Sequence, residues 1–194
     1  MPAEAHPPTR VADDSSPASL PADVPAEPEP PDRLCVTLVR EDGDWSGFGA
    51  LEVAVRQAAS ALAQHGRMSI EQGSEASVVL GSDALVRHLN RTYRGKDAAT
   101  NVLSFPFQRP PGAGPEDGAY LGDVVLAAET VRLEAHERGI EPRHHLQHLV
   151  VHGLLHLLGY DHRTDTAAEE MERLEADFLA TIGVSDPYAA CVVP

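Results

Sequence analysis

The chain has 194 residues, which is enough for one folded domain with an appendage. Its formal net charge of −15 argues against a broadly basic surface for nucleic acids, although it leaves room for a local basic patch. No stretch is long and apolar enough to span a membrane, and the two cysteines, Cys35 and Cys191, fit the low cysteine use of a reducing cytoplasm. We therefore expect a cytoplasmic protein.

The chain divides into three parts by composition. Residues 1–32 are rich in proline, alanine and acid and hold almost no large apolar residues, so they cannot bury enough surface to offset the entropy of ordering. We predict a disordered tail there, a folded domain over residues 33–186 and a short C-terminal extension over residues 187–194.

The folded part mixes strand patterns with helix patterns. Strands are predicted at Leu34–Val39, Ala76–Gly81, Thr100–Phe107 and Tyr120–Ala128. Helices are predicted at Phe48–Gln64, from a cap at Asp83 to Gly95, at Glu129–Arg138, from Pro142 onward, and from a capping box at Thr166 to Gly183. In the second helix, the predicted core stripe is Leu85, Leu89 and Tyr93. This order predicts an α+β domain with a small mixed sheet of about four strands covered by helices.

Three histidines near the end of an apolar run have the spacing of a metal site. His152 and His156 lie one turn apart on the same face of a helix, close enough for both imidazoles to reach one ion. Gly159 can adopt the left-handed conformation that ends a helix, so the chain can turn back and bring His162 to the same ion. Three protein ligands and one open position are usual for catalytic zinc, which lowers the pKa of a bound water to about 7.

Two other interpretations of these histidines remain open. A pair of buried histidines on an apolar helix is the simpler one, and His148 is either a partner behind the metal ligands or a solvated residue. The spacing also matches the zincin-like H-E-x-x-H-x-x-G-x-x-H motif of metzincin peptidases, except that Gly153 stands where those enzymes carry their general base. A zinc peptidase is therefore the second hypothesis.

A second constellation is basic. Arg87, Arg91 and Arg94 follow each other at steps of four and three on one helical face, and Lys96 comes directly after Gly95. In an acidic chain, such a cluster is where a phosphate backbone would be held. A solvated face of an amphipathic helix explains the same pattern equally well.

Three sequence blocks in and after this basic cluster resemble the YbeY family of metal-dependent bacterial endoribonucleases. The resemblance lies in Leu89–Asp97, Thr100–Pro106 and Leu121–Asp123, taken together with His152–His162. It spans roughly Val78 to the last helix. Family members carry proline before the threonine of the second block, where this chain has Ala99.

The resemblance implies an activity that the spacing alone does not. It implies zinc held by His152, His156 and His162, and a catalytic or RNA-contacting arginine at Arg94. It further implies cleavage of single-stranded RNA, maturation of small-subunit (16S) ribosomal RNA at its 3′ end, and a part in ribosome quality control. The expected partners are ribosomal RNA and the small subunit with its assembly proteins, without membrane or DNA.

The general base and one rival function remain open. Asp161 and Asp123 are candidates because they lie near the motifs, although Asp161 could instead orient a histidine or cap the turn. A ribosome assembly factor with structural zinc is the third hypothesis. A fourth protein ligand such as Asp161 would favour it over catalysis.

Overall fold

The computed structural model describes residues 33–108 and 120–189. The predicted disordered tail and the last residues of the predicted C-terminal extension lie outside these ranges. Among the described residues, none of the helices combines the length and the apolar character needed to cross a lipid bilayer.

Four strands form one mixed sheet, as the sequence predicted. They are β1 (Leu34–Arg40), β2 (Ser74–Gly81), β3 (Val102–Pro106) and β4 (Tyr120–Ala127). The order across the sheet is β1-β2-β4-β3. Strands β1, β2 and β4 are parallel, whereas β3 pairs with β4 in the antiparallel direction and forms one edge. The predicted α+β class with a small mixed sheet is confirmed.

Five helices accompany the sheet. They are α1 (Leu51–Gln64), α2 (Asp83–Arg94), α3 (Ala128–Glu137), α4 (Pro142–Leu157) and α5 (Asp165–Thr181). Helix α1 begins three residues later than predicted, because Gly49 has a φ of 74° that a right-handed helix cannot include. Helix α4 carries the histidine motif and begins with Pro142 at its first turn, as expected.

Two helix caps differ from the prediction. Ser82, and not Asp83, caps α2 and accepts a hydrogen bond from the Leu85 amide. Asp83 is the first helical residue, and its carboxylate accepts hydrogen bonds from Thr130. Helix α5 begins at Asp165 under a Thr164 cap, two residues ahead of the predicted cap at Thr166. Adjacent serine, threonine and aspartate residues offer several chemically equivalent caps, so sequence alone does not distinguish them.

The two faces of the sheet differ in the size of the core they bury. The larger core lies between one face and helices α1, α4 and α5, and includes Val78, Leu126 and Phe178. The other face is covered by α2 over a small cluster of Val86, Leu103, Val125 and Ala127. Edge strand β3 therefore separates α4 on one side from α2 on the other.

Helix α4 approaches the sheet most closely at Gly153. A Cβ placed on this residue would lie 2.5 Å and 2.9 Å from the two methyl carbons of Val124 on β4. The Ser104 hydroxyl of β3 donates to the Gly153 carbonyl across 3.2 Å. A glutamate at this position would have to displace the sheet, so the packing explains the absence of the peptidase general base.

Candidate active site

Helix α4 and the turn after it bring three imidazoles together. One nitrogen from each of His152, His156 and His162, the histidine cluster, lies within 4.8 Å of the other two. Gly159 has a φ of 91°, and the Tyr160 amide donates back to the Leu155 carbonyl at 3.1 Å. This reversal folds the chain back so that His162 reaches the helix. The three predicted ligands are thus in one place.

The hydrogen bonds of the cluster leave nitrogen lone pairs facing one another. His156 Nδ1 lies 2.9 Å from the Tyr160 carbonyl oxygen, which only accepts, so the proton belongs on that nitrogen. His152 Nδ1 lies 2.9 Å from a carboxylate oxygen of Glu175 and carries its proton for the same reason. The remaining Nε2 atoms are 3.1 Å apart. In a tetrahedral zinc site with bonds of about 2.0–2.1 Å, two ligand nitrogens lie about 3.3 Å apart.

This arrangement fits a cation. Two lone pairs at that distance repel each other unless a positive charge lies between them. Burial, followed by the neighbouring His152, lowers the pKa of His156, which favours the neutral form that binds a metal. Within the described residues, the group of potential ligands consists of the three histidines. The histidine cluster could therefore hold a metal ion.

Glu175 of α5 is a site residue that the sequence analysis missed. Its side chain is fully buried, and besides His152 it accepts from His148 Nε2 at 2.7 Å and from the Tyr188 hydroxyl at 2.5 Å. Burial raises the pKa of Glu175, but the hydrogen bonds from His148 and His152 outweigh it and bring the pKa to about 2. The available signal was a carboxylate on the apolar stripe between Met171 and Phe178.

A cleft of about 460 Å³ opens beside the histidine cluster. Residues from three places line it, namely Arg94, Ser104, Pro106, His156, Gly159, Tyr160, Asp161, His162 and Arg163. Arg94 ends α2 on the far face of the sheet, and its guanidinium donates to the Ser104 carbonyl of edge strand β3 at 3.4 Å. It thus reaches round the edge to two of the histidines. Arg163 was not singled out from the sequence.

The other three basic residues of the predicted cluster lie outside the lining of this cleft. Arg87 forms a bidentate ion pair with Asp97, with nitrogen-to-oxygen distances of 2.8 Å and 3.0 Å. The hydrogen bond from Arg87, with smaller contributions that include Arg91, lowers the pKa of Asp97. Lys96 is exposed. Only Arg94 of this set is brought to the histidines.

Three residues were predicted to have supporting roles, one histidine and two aspartates, and they lie in different places. His148 is buried and shares the Glu175 carboxylate with His152. Asp161 lines the cleft, and its carboxylate accepts from the Arg163 amide at 3.2 Å. Asp123 accepts from the Tyr120 hydroxyl at 2.6 Å. Because side chains alternate along β4, Asp123 points to the α2 face, away from Val124 and α4.

Fold and site together define a class of protein. It has a mixed four-stranded sheet, a central helix with three clustered imidazoles, and a cationic cleft at the edge strand. The sequence model described as endoribonuclease YbeY matches residues 49–183. The chain belongs to the YbeY family, as the sequence resemblance predicted.

Individual relatives are similar over most of their length. Endoribonuclease YbeY of Azorhizobium caulinodans is 50% identical over 154 residues, which are 78% of this chain and 94% of that protein. Endoribonuclease YbeY of Parvibaculum lavamentivorans is 45% identical over 163 residues, which are 81% of this chain and 86% of that protein. A solution structure of a Thermotoga maritima protein covers 80% of this chain and 100% of its own, with a TM-score of 0.49 and 23% identity.

Proposed function

We propose that this protein is a metal-dependent endoribonuclease that cleaves phosphodiester bonds of single-stranded RNA. The observation that carries the proposal is the cleft that Arg94 lines together with His156 and His162. Relatives that share about half of their residues with this chain bear the name endoribonuclease. Zinc is the metal we propose, because three neutral imidazoles are a ligand set typical of catalytic zinc.

The chain's own residues divide the work. His152, His156 and His162 would hold the ion, which supplies a Lewis acid and an acidified water when bound. The planar guanidinium of Arg94 can donate two parallel hydrogen bonds to phosphate oxygens and stabilise the negative charge that grows on them. Of the two carboxylates considered as proton acceptors, we assign Asp161, because it lines the cleft whereas Asp123 faces the other side of the sheet.

Glu175 and the Tyr160 carbonyl orient the ligands. Each accepts the Nδ1 proton of one imidazole, Glu175 from His152 and Tyr160 from His156, so that both Nε2 lone pairs point to the same place. Such partners fix the tautomer and the ring orientation of a metal-binding histidine. Arg163 is the second cation of the cleft and would contact the RNA backbone.

The natural substrate that we propose is ribosomal RNA. The family resemblance supports maturation of small-subunit (16S) RNA at its 3′ end and a part in ribosome quality control, with the small subunit and its assembly proteins as partners. Such a role is carried out in the cytoplasm. Arg87, Arg91 and Lys96 would contribute at most to longer-range attraction of the RNA, because they lie outside the cleft lining.

The test is cleavage of end-labelled single-stranded ribosomal RNA by identically purified variants. We expect His156→Ala to lose both metal and cleavage, and Arg94→Ala to lose cleavage while keeping its metal. Arg87→Ala is the matched control, because that arginine is paired with Asp97 outside the cleft, and it should cleave like wild type.

Two results would contradict the proposal. If all variants cut alike, the activity belongs to a contaminating ribonuclease. If none cuts RNA but the wild type hydrolyses an unstructured protein, the peptidase hypothesis returns despite Gly153. The metal content of each preparation shows whether an inactive Arg94→Ala protein still holds its metal or has lost it.

A further inference from the structure

Two pairs of aromatic rings lie at the end of edge strand β3. Tyr93 packs edge-on against Phe105 with ring centres 5.3 Å apart, and Phe107 packs edge-on against Tyr120 at 5.7 Å. Phe105 packs against Tyr93 of α2, and Tyr120 bonds to Asp123 on the α2 face, so both pairs lie on that side of the sheet. We call this set, Tyr93, Phe105, Phe107 and Tyr120, the aromatic row.

Two members of the row are unusually exposed for large aromatic side chains. Tyr93 retains 68% of its accessible surface and Phe107 retains 47%. The sequence predicted Tyr93 as part of the core stripe of α2. Leu85 and Leu89 of that stripe are half-buried against the small cluster, whereas Tyr93 at the last turn is exposed and packs against the edge of Phe105. An apolar ring left open next to a site is typical of a binding surface.

The aromatic row and the cleft lie on opposite sides of edge strand β3. Ser104 and Pro106 of β3 line the cleft, while Phe105 and Phe107 point to the opposite side of the same strand. Arg94, directly after Tyr93, marks the boundary by donating to the Ser104 carbonyl. A chain bound along this edge would meet cations and imidazoles on one side and aromatic rings on the other.

We propose that Tyr93 and Phe107 stack against bases of single-stranded RNA on either side of the phosphate held in the cleft. This inference rests on the proposed endoribonuclease function and specifies how its substrate is held. Every base presents a π face, so stacking accepts any sequence but requires that the bases be unpaired and splayed apart. The aromatic row thus explains a preference for single-stranded RNA through the protein's own residues.

The experiment measures cleavage of labelled RNA by the full-length protein in the presence of a competitive inhibitor. One inhibitor is an unstructured RNA octanucleotide, and the other is an abasic octamer with the same ribose-phosphate backbone. Stacking contributes about 1–3 kcal/mol per base, which is about 5- to 150-fold each, so two stacked bases should make the octanucleotide about 25-fold or more the stronger inhibitor of the wild type. Tyr93→Leu and Phe107→Leu each remove one stacked base, so in each variant the ratio should fall by about 5- to 150-fold. Tyr93→Phe keeps the ring and should keep the ratio.

The control substitution removes exposed apolar surface elsewhere. Leu133 of α3 is 56% exposed, and Leu133→Ala should leave the ratio unchanged. The stacking proposal would be wrong if the octanucleotide inhibited the wild type no more than about twofold better than the abasic octamer, or if the leucine variants kept the wild-type ratio. Neither result would contradict the proposed endoribonuclease activity. A wild type that does not cleave RNA would overturn the proposed function itself.

Discussion

Two of the histidine–carboxylate pairs on helix α4 look alike and do different work. In its first half, His145 Nε2 lies 2.7 Å from Glu134 of α3. In its second half, His152 Nδ1 lies 2.9 Å from Glu175 of α5. The free nitrogen of His145 is buried without a hydrogen-bond partner, whereas that of His152 faces the other imidazoles of the histidine cluster.

The difference shows that a histidine held by a carboxylate is not by itself a metal ligand. Glu134 also accepts from the Asn101 amide, at 3.0 Å and 3.2 Å, so the first pair ties α4 to α3 and to the start of β3. The second pair aims a lone pair at two neighbours. The two pairs differ in the direction of the imidazole nitrogen that is not bonded to the carboxylate. Matched substitutions in the two pairs test whether this difference matters.

Removing the histidine itself should have the largest effect. Zinc at a thousandfold excess over its dissociation constant stabilises a native protein by about 4 kcal/mol. We expect this stabilisation for wild type and for His145→Ala, but not for His152→Ala. Without zinc, His145→Ala should already have a lower unfolding free energy than wild type. Denaturant unfolding with and without zinc measures it. If zinc raised the unfolding free energy of both variants equally, the two histidines would not differ in metal binding.

Changing the carboxylates should have an intermediate effect. Oε1 of Glu175 accepts from His152, and Oε2 accepts from His148 and the Tyr188 hydroxyl. The amide nitrogen of Glu175→Gln cannot accept, so either His152 or the other two donors lose their partner and the support of His152 is weakened. Loss of such a partner typically lowers metal affinity about 10- to 100-fold. Competition with a chromophoric chelator gives the affinity. Glu134→Gln is the matched control and should bind zinc like wild type.

The smallest effect should be a difference in pH dependence. Burial lowers the pKa of His145, with the hydrogen bond to Glu134 opposing it, so the native state binds fewer protons than the unfolded state near the unfolded pKa of 6.5. Its contribution is present above that value and is lost as the pH falls, by at most about 1.4 kcal/mol per pH unit.

His145→Gln removes that titration while keeping an amide donor for Glu134. With a chelator present, so that metal release plays no part, the variant's unfolding free energy should fall less steeply than that of wild type between pH 7.5 and 5.5. Urea titrations at several pH values measure the two slopes. Parallel slopes would show that His145 titrates alike in the folded and unfolded states.

The sequence predicted most of the architecture and the grouping of the three histidines, because both rest on local spacing. Apolar periodicity located the strands and helices, and the spacing of the histidines around Gly159 defined the cluster. Three features depended on tertiary packing and were missed or misplaced. Glu175 supports the cluster from another helix, Asp123 faces the wrong side of the sheet, and Tyr93 lies beyond the surface that would have covered it.

The chemistry of the histidine cluster also bears on which metal a preparation will contain. As ligands its three imidazoles would all be neutral nitrogen donors, and imidazole also suits copper and nickel, of which copper ranks above zinc in the general order of divalent affinities. The ligand type favours zinc without excluding these ions, so metal availability also decides which ion is bound. Protein purified on nickel resin should carry nickel unless it is stripped and reloaded, so activities of separate preparations are comparable only at known metal content.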